Sequence, residues 1–358
     1  MLSILVIITS ILMSIPLFII FTITSKTYDQ YRLKPFLMLK TIALFSILYL
    51  LATLAGNLSP SKILAFYLFN TSIMLIGMCS ILTYLFFRIL RTEQISKGVI
   101  LLLGLLLISK IPSLILNPIR VYVYGDIIIR EAHISLIALI PSTLSIILIA
   151  IEASLLYRDS KKTPSCNAHS HNLLLAYLFP MSLPPIYLLG HAFEIISILV
   201  PYLEGLVVSM IASYLAITFR RAPHKLVLLP VHVRAFLLHT HAGLKIMEIA
   251  FDTAFKNILA LASSLIASII GLEMAIEGRV IAYIFRVHRL SENVIIMFFG
   301  KHTVGTFITN RENSVIRDIL RNIVLEFEAT EILDEGIIMD PEIEKAHHVL
   351  DKYMDLIL

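Results

Sequence analysis

Apolar residues dominate roughly the first 220 positions of the chain, in long runs separated by short polar segments. A bilayer core about 30 Å thick is crossed by roughly 20 mostly apolar helical residues. Seven runs of about this length are present, so the pattern predicts seven membrane-spanning helices. The runs are Leu2 to Thr24, Phe36 to Leu58, Ile63 to Ile89, Val99 to Leu116, Ile134 to Tyr157, Asn172 to His191, and Ile195 to Phe219.

Basic residues predict the orientation, because Lys and Arg in short loops stay on the cytoplasmic side. The odd-numbered connections carry Lys26, Arg32 and Lys34, then Arg88, Arg91 and Lys97, then Arg158, Lys161 and Lys162, and finally Arg220, Arg221 and Lys225. The even connections carry Lys62, then Arg120 and Arg130 offset by Asp126 and Glu131, and then no basic residue. We therefore expect a multi-pass protein of the cell membrane, with its N-terminus outside and its C-terminal part in the cytosol.

Composition agrees with a membrane protein that also has a water-soluble part. Of the 358 residues, 58% are hydrophobic and only 15% are charged, and the mean hydropathy of +0.88 lies outside the range of soluble globular proteins. Charges are sparse up to Arg221 and frequent from Lys225 onward. The predicted domains are residues 1–222, which span the membrane, and residues 223–358, which form a cytosolic domain.

The cytosolic part alternates between strand-like and helix-like periods. The predicted order is two strands, a helix, three strands and two helices: Val231 to His239, Leu244 to Phe251, Asn257 to Ile276, Val280 to Val287, Val294 to Phe299, Val304 to Thr309, Ser314 to Leu333, and Pro341 to Leu356. The apolar segment from Asn257 to Leu272 is also a candidate eighth span. Its 16 or so residues fall below the usual spanning length, so we interpret it as a buried core helix.

This domain resembles the longin and roadblock group of profilin-like domains. The resemblance rests on the order ββαβββαα, on the hairpin turn His241-Ala242-Gly243-Leu244, on the small-residue helix Leu261 to Ala267, and on the run from Ile323 to Glu328. It implies a non-enzymatic module that docks a cytosolic partner, such as a small GTPase or a second copy of the domain. The expected fold class is thus an all-α seven-helix bundle followed by a soluble α/β longin/profilin-like domain.

The seven-span half resembles the sensor region that precedes some histidine kinases. The match rests on span number, on orientation, and on the exit of the seventh span through Tyr214 to Arg221. A kinase phosphoacceptor motif and a Gly-rich ATP-binding segment do not follow, so the resemblance implies sensing without phosphotransfer. Arg220, Arg221 and Lys225 are the expected coupling residues between the spans and the domain.

Ionisable side chains within spans are costly and are therefore candidate functional groups. Lys110 lies in the fourth span, and Glu204 lies at a comparable depth in the seventh. We expect a Lys110–Glu204 pair that lines a pocket together with Glu194 and His191. The alternative is that each side chain reaches the lipid headgroups on its own. Glu152 is expected to extend toward Arg158.

Prolines interrupt several spans, and the adjacent pair Pro184 and Pro185 is the strongest such signal. Proline frees backbone carbonyls, which a membrane protein tolerates where a cavity or a neighbouring helix satisfies them. A ligand pocket and simple packing kinks both fit this pattern. The strand-like alternation from Val121 to Ile129 around Gly125 and Asp126 predicts an external hairpin, which either covers a pocket or lies along the interface.

Cys166, His169 and His171 form a Cys-x-x-His-x-His cluster in a predicted cytosolic loop. These side chains are Zn²⁺ ligands in other proteins, but three ligands without a fourth nearby are more often solvated. No metal or other cofactor is therefore expected.

The chain has none of the usual catalytic or nucleotide-binding motifs, so we expect no enzyme. The expected function is a receptor-like or scaffold protein that contacts membrane lipid and a cytosolic protein, without nucleic acid. The alternative is a transporter or a membrane subunit of a larger complex with a regulatory cytosolic domain.

Overall fold

A computed structural model describes residues 2–92, 95–116, 120–131, 136–161, 200–222, 227, 229–278, 281–330 and 340–357. The chain divides into two compact units. The first unit comprises Met1–Arg88, Ile95–Arg158 and His169–Leu226, and the second comprises Ile89–Gln94, Asp159–Ala168 and Val227–Leu358. The expected domain boundary lies between residues 222 and 223. Residues 223–226, which follow it directly, lie outside the described ranges.

The first unit is built from helices that coincide with predicted spans. They are α1 (Leu2–Tyr31), α2 (Lys34–Asn57), α3 (Lys62–Arg91), α4 (Lys97–Leu116), α5 (Leu136–Ser160) and α6 (Val200–Phe219), and the ends of α3 and α5 belong to the second unit. The predicted sixth span, Asn172 to His191, lies outside the described residues. Helix α1 continues past the expected end at Thr24 and stops before Arg32, whose φ of 53° lies in the left-handed region typical of a helix end.

A two-stranded hairpin connects α4 and α5, as the alternation around Gly125 predicted. Strands β1 (Arg120–Tyr124) and β2 (Ile127–Glu131) are antiparallel, and Gly125 in the turn has a φ of +62°. Ile128 of this hairpin packs against Ala65 and Phe69 of α3. The hairpin is therefore held by the first turns of α3.

Among the described residues, four helices are long and apolar enough to cross a membrane. They are Ser10–Tyr31, Lys34–Asn57, Lys62–Arg91 and Leu259–Glu277, with Lys97–Leu106 and Ser209–Phe219 as shorter apolar helices. Large apolar side chains on α1 face outward, including Phe18, which is 61% exposed. Such a surface is unfavourable in water and suits the hydrocarbon of a bilayer, so the first unit is a multi-pass membrane region.

The second unit contains a five-stranded antiparallel sheet with helices on both faces. Its elements from residue 233 onward are β3 (Val233–Thr240), β4 (Lys245–Ala250), α7 (Thr253–Lys256), α8 (Leu259–Glu277), β5 (Ile284–Leu290), β6 (Asn293–Phe299), β7 (Thr303–Thr309), α9 (Ser314–Thr330) and α10 (Asp340–Ile357). The strand order is β4-β3-β7-β6-β5. This is the predicted sequence of elements, with the short α7 added.

Side chains alternate between the two faces of the sheet because successive strand residues point in opposite directions. On one face, Ile266 and Ile270 of α8 pack against Met297 and Val304. On the other face, Gly305 lies so close to α9 that an added Cβ would overlap Val324. A strand glycine is therefore needed here for the close approach of α9.

Helix α8 corrects the expectation about the apolar segment from Asn257 to Leu272. The segment was judged too short to span a membrane, but the helix has 19 residues, Leu259–Glu277, and is long enough. Only one side of this helix is buried, and the other side is exposed. It nevertheless links β4 to β5, which are the two edge strands of one sheet. A helix across the bilayer would separate these strands by about 30 Å of hydrocarbon, so α8 is a helix of the sheet unit.

Candidate functional site

The segment between β7 and α9 binds the end of α3. The side-chain amide of Asn313 donates a hydrogen bond to the carbonyl oxygen of Leu90 at 2.9 Å, and the Ser314 hydroxyl donates to that of Ile89 at 3.2 Å. Longer contacts of 3.4 Å join the Arg311 guanidinium to the Arg91 carbonyl and the Ser314 amide to the Thr92 carbonyl. We call Arg311, Asn313 and Ser314 the α3 clamp.

The α3 clamp satisfies carbonyl groups that a helix cannot satisfy itself. The last four carbonyls of an α-helix have no intrahelical donor, and α3 ends at Arg91. The Asn313 bond is the most important of these contacts because its length is near the optimum, whereas bonds of 3.4 Å are weak. Asn313 is fully buried, so loss of this donor would leave the Leu90 carbonyl without compensation from bulk water.

Asn313 also begins α9. Its side-chain oxygen accepts a hydrogen bond from the backbone amide of Ile316 at 2.8 Å, as an N-cap residue does. Each end of the Asn313 amide therefore has a separate partner. The oxygen caps α9, and the nitrogen binds α3.

Arg311 adds an ion pair to the end of α5. Its guanidinium lies 2.8 Å from the carboxylate of Asp159, whose side chain is only 11% exposed. A pair this shielded resists salt screening better than an exposed one, and removal of either partner leaves a poorly solvated charge. The second unit thus holds the ends of α3 and α5 through neighbouring residues.

Within the first unit, an ion pair joins the same two helices. Arg88 of α3 and Glu152 of α5 are 2.6 Å apart, and the Glu152 side chain is 6% exposed. The expectation that Glu152 extends toward Arg158 was wrong. Arg158 follows Glu152 by six residues, whereas neighbours on one helix face are three or four apart.

The residues predicted for a ligand pocket stay predictions. Lys110 belongs to α4 and Glu204 to α6, while Pro184, Pro185, His191 and Glu194 lie in residues 162–199, outside the described ranges. The Cys166, His169 and His171 cluster and Lys225 also lie outside them.

Of the predicted coupling residues, Arg220 and Arg221 directly follow α6 and are exposed. Sequence reasoning missed the α3 clamp. Asn313 and Ser314 are recognisable as a helix start, but their partners lie more than 220 residues away along the chain.

His239 is a buried histidine in the face of the sheet that α8 covers. Its Nε2 lies 3.0 Å from the hydroxyl of Ser263, and the residue has no solvent exposure. Burial disfavours the charged imidazolium and lowers the pKa of His239 from 6.5 to about 4, despite the opposing charge of Glu248. The folded protein therefore holds this histidine neutral.

Glu328, at the end of the run quoted for the longin resemblance, fastens the turn between β6 and β7. Its carboxylate accepts hydrogen bonds from the backbone amides of Lys301, His302 and Thr303 at 2.8 to 2.9 Å. Gly300 has no Cβ, and an added one would overlap the carboxylate. This arrangement gives Glu328 a structural role.

Membrane-spanning helices and an α/β sheet unit that holds two of their ends define the class of this protein as an integral membrane protein with a globular extension. No protein-family model, curated protein or solved structure matches the chain.

The first prediction separates the two roles of Asn313. Asn313→Asp keeps the oxygen that caps α9 but replaces the donor to Leu90 with a second oxygen. We expect a loss of about 1 to 3 kcal/mol in thermal stability and faster trypsin cleavage after Arg91, because two acceptors then face each other. Asn310→Asp is the matched control, since the Asn310 oxygen accepts from the His232 amide and an Asp retains that bond. Equal stability of the two variants in detergent would contradict the role of the clamp.

The second prediction concerns pH. Folding depresses the pKa of His239. The contribution of this residue to the free energy of unfolding is therefore fully present above pH 6.5 and is lost as the pH falls toward about 4. Between pH 7 and pH 5 we expect a loss of about 2 kcal/mol from this residue. His239→Gln should reduce the slope of melting temperature against pH, and substitution of the exposed His302 by Gln should leave it unchanged. Identical slopes for wild type and His239→Gln would refute this assignment.

Proposed function

We propose that this chain is a non-enzymatic, receptor-like membrane protein that couples a membrane or external signal to a cytosolic docking domain. Residues 1–222 cross the cell membrane seven times with the N-terminus outside. Residues 223–358 form a longin-like module in the cytosol. The proposal rests on two helices, α3 and α5, that begin in the first unit and have their last residues in the second.

The α3 clamp is the observation that carries the proposal. A plain membrane anchor needs only a covalent linker, whereas here side chains from the β7–α9 segment bind the last carbonyls of α3. Helix α3 is continuous from Lys62 to Arg91. A shift or rotation of this helix therefore moves the carbonyls that the clamp holds.

A signal acts through this link only if it binds one arrangement of the helices better than another. The Arg88–Glu152 pair connects α3 to α5, and Asp159 at the end of α5 binds Arg311. Both helices thus end on the same short segment, and their relative displacement is the signal we propose. Arg220, Arg221 and Lys225 add the covalent connection through the seventh span.

The topology generates the third prediction. In a chain with Cys79 and Cys166 replaced by Ala, single cysteines at Ser61 and Asp126 should react with a membrane-impermeant maleimide added to intact cells. A cysteine at Ser96 should react only after the membrane is opened. All three positions are exposed, so accessibility to reagent does not limit labelling. Labelling at Ser96 in intact cells would refute the proposed orientation.

The fourth prediction tests coupling to a cytosolic partner. Full-length protein in nanodiscs should capture a small GTPase from cytosol, with a preference for one nucleotide state. If the clamp transmits the state of α3, Asn313→Asp should change the partner's Kd at least threefold, and Asn310→Asp should not. A partner that binds with the same Kd to all forms would refute coupling through α3 while leaving docking intact.

A further inference from the structure

One end of the five-stranded sheet is joined to the ends of α3 and α5. This end is marked by four residues that are register partners across neighbouring strands: Val233, Thr309, Val294 and Arg289. The chain leaves β7 at Thr309 and enters the α3 clamp at Arg311. Arg289 of β5 binds Glu312, in the same short segment, at 3.5 Å. We call this end of the sheet the clamp end.

The clamp end is joined to α3 at the point where this helix leaves its apolar stretch. Helix α3 is long and apolar enough to cross a membrane, and it ends at Arg91. Beyond the hydrocarbon, the headgroup region of one leaflet is about 5 to 8 Å thick. Because Asn313 binds the carbonyl oxygen of Leu90, one residue before the end of α3, the clamp belongs at the depth of the headgroups.

Exposed apolar side chains occur at the clamp end. The segment that leads into α8 starts there, since the amide of Phe251 binds the carbonyl oxygen of Arg234 at the start of β3. Ile258, just before α8, is 44% exposed, and Leu261 in the first turn of α8 is 72% exposed. Leu290, where β5 turns into β6, is 47% exposed. Such side chains are unfavourable in water and are stabilised at the boundary between headgroups and acyl chains.

Basic side chains accompany these apolar ones. Lys256 is exposed and precedes Ile258 by two residues, and Arg289 precedes Leu290 and has a side chain that is 65% exposed. A cation beside an apolar side chain suits a membrane that contains anionic lipid, because the apolar group enters the boundary and the cation contacts phosphate. Glu292, also exposed, adds one opposing charge.

We propose that the clamp end contacts anionic lipid headgroups in the leaflet at which α3 and α5 end. The residues that make the contact are Lys256, Ile258, Leu261, Arg289 and Leu290, which we call the lipid rim. This contact would hold the sheet unit at a second place besides the α3 clamp, so that the position of the unit depends on the anionic lipid of the membrane. The proposal rests on the membrane character of the first unit and not on the signal or the partner of the proposed function.

The far end of α8 provides an internal comparison. Leu272 and Ile276 are exposed there too, but they adjoin Glu273 and Glu277, which both bind Arg286. Carboxylates are repelled by anionic lipid, so this end is less suited to the headgroups. The helical rise places Ile276 about 22 Å from Leu261 along the axis. We therefore expect the membrane to reach Leu261 and to leave Ile276 in water.

Tryptophan fluorescence of the full-length protein, with one chain in each nanodisc, tests the contact. The chain contains no Trp, so a single introduced Trp reports on its own surroundings. In nanodiscs that contain phosphatidylglycerol, lipids with brominated acyl chains should quench Leu261→Trp. Ile276→Trp is the matched control, because Ile276 is 73% exposed on the same helix. We expect at least threefold stronger quenching of Leu261→Trp than of Ile276→Trp.

A second pair of variants tests the sheet itself. Leu290 lies at the clamp end, and Leu244 lies at the opposite end, after the turn between β3 and β4, with a similar exposure of 51%. Leu290→Trp should be quenched, and Leu244→Trp should not. All four positions are exposed, so the variants should keep the melting temperature of the wild type, which excludes unfolding as the cause of a difference.

The role of lipid charge is tested in the Leu261→Trp background. Replacement of phosphatidylglycerol by phosphatidylcholine should weaken the quenching, because the attraction of Lys256 and Arg289 to the membrane surface is lost. Lys256→Glu should reduce the quenching at least twofold. Lys301→Glu is the matched control, since Lys301 is an exposed lysine at the opposite end of the sheet. Equal effects of the two lysine changes would contradict a contact through the lipid rim.

Three results would overturn the proposal. Absence of quenching of Leu261→Trp would place the clamp end in water. Equal quenching of Leu261→Trp and Ile276→Trp would mean that the whole of α8 lies along the membrane. A blue-shifted emission that brominated lipid does not quench would identify a protein contact instead. None of these results affects the proposed function, since capture of a GTPase and its dependence on Asn313 are measured separately.

Discussion

Helix ends need hydrogen-bond partners for their backbone carbonyls, and this requirement shapes the junction of α3 with the sheet unit. Inside hydrocarbon, each backbone group must be satisfied within its own helix, so spans are continuous helices. At the end of a span the last carbonyls need donors from elsewhere. Here the donors for Ile89 and Leu90 come from Ser314 and Asn313. A buried asparagine suits this position because a single amide supplies both the acceptor for α9 and the donor for α3.

The two faces of the sheet are covered in different ways. Helices α9 and α10 are amphipathic and are held together by Glu326, which binds Lys352 at 2.7 Å and Tyr353 at 2.6 Å. Their outer surfaces are suited to water. Helix α8 is apolar on both sides, with Ile266 directed inward and Leu261 outward. One side of the unit thus has a polar outer surface, and the other side exposes apolar side chains.

Local patterns predicted much of this fold. Hydrophobic runs located most of the helices of the first unit, and alternation located the hairpin around Gly125 and the order ββαβββαα. These predictions succeeded because helix and strand periods are properties of neighbouring residues. The partners of Glu152 and Asn313 could not be predicted, since they depend on which distant segments meet. The helix predicted at Asn257 to Ile276 is found at Leu259–Glu277, but the part judged able to span a membrane was ended too early at Glu273, whose charge Arg286 neutralises.

In the turn between β6 and β7, backbone amides that could bind an anion bind a carboxylate of the same chain. Three consecutive amides, those of Lys301, His302 and Thr303, converge on one carboxylate. Convergent backbone amides are the arrangement by which proteins bind phosphate and other anions. In this chain Glu328 of α9 is the anion, so the concavity is already occupied and is closed to phosphorylated or acidic ligands from solution. Recognition of such ligands by the sheet unit must therefore use another part of its surface.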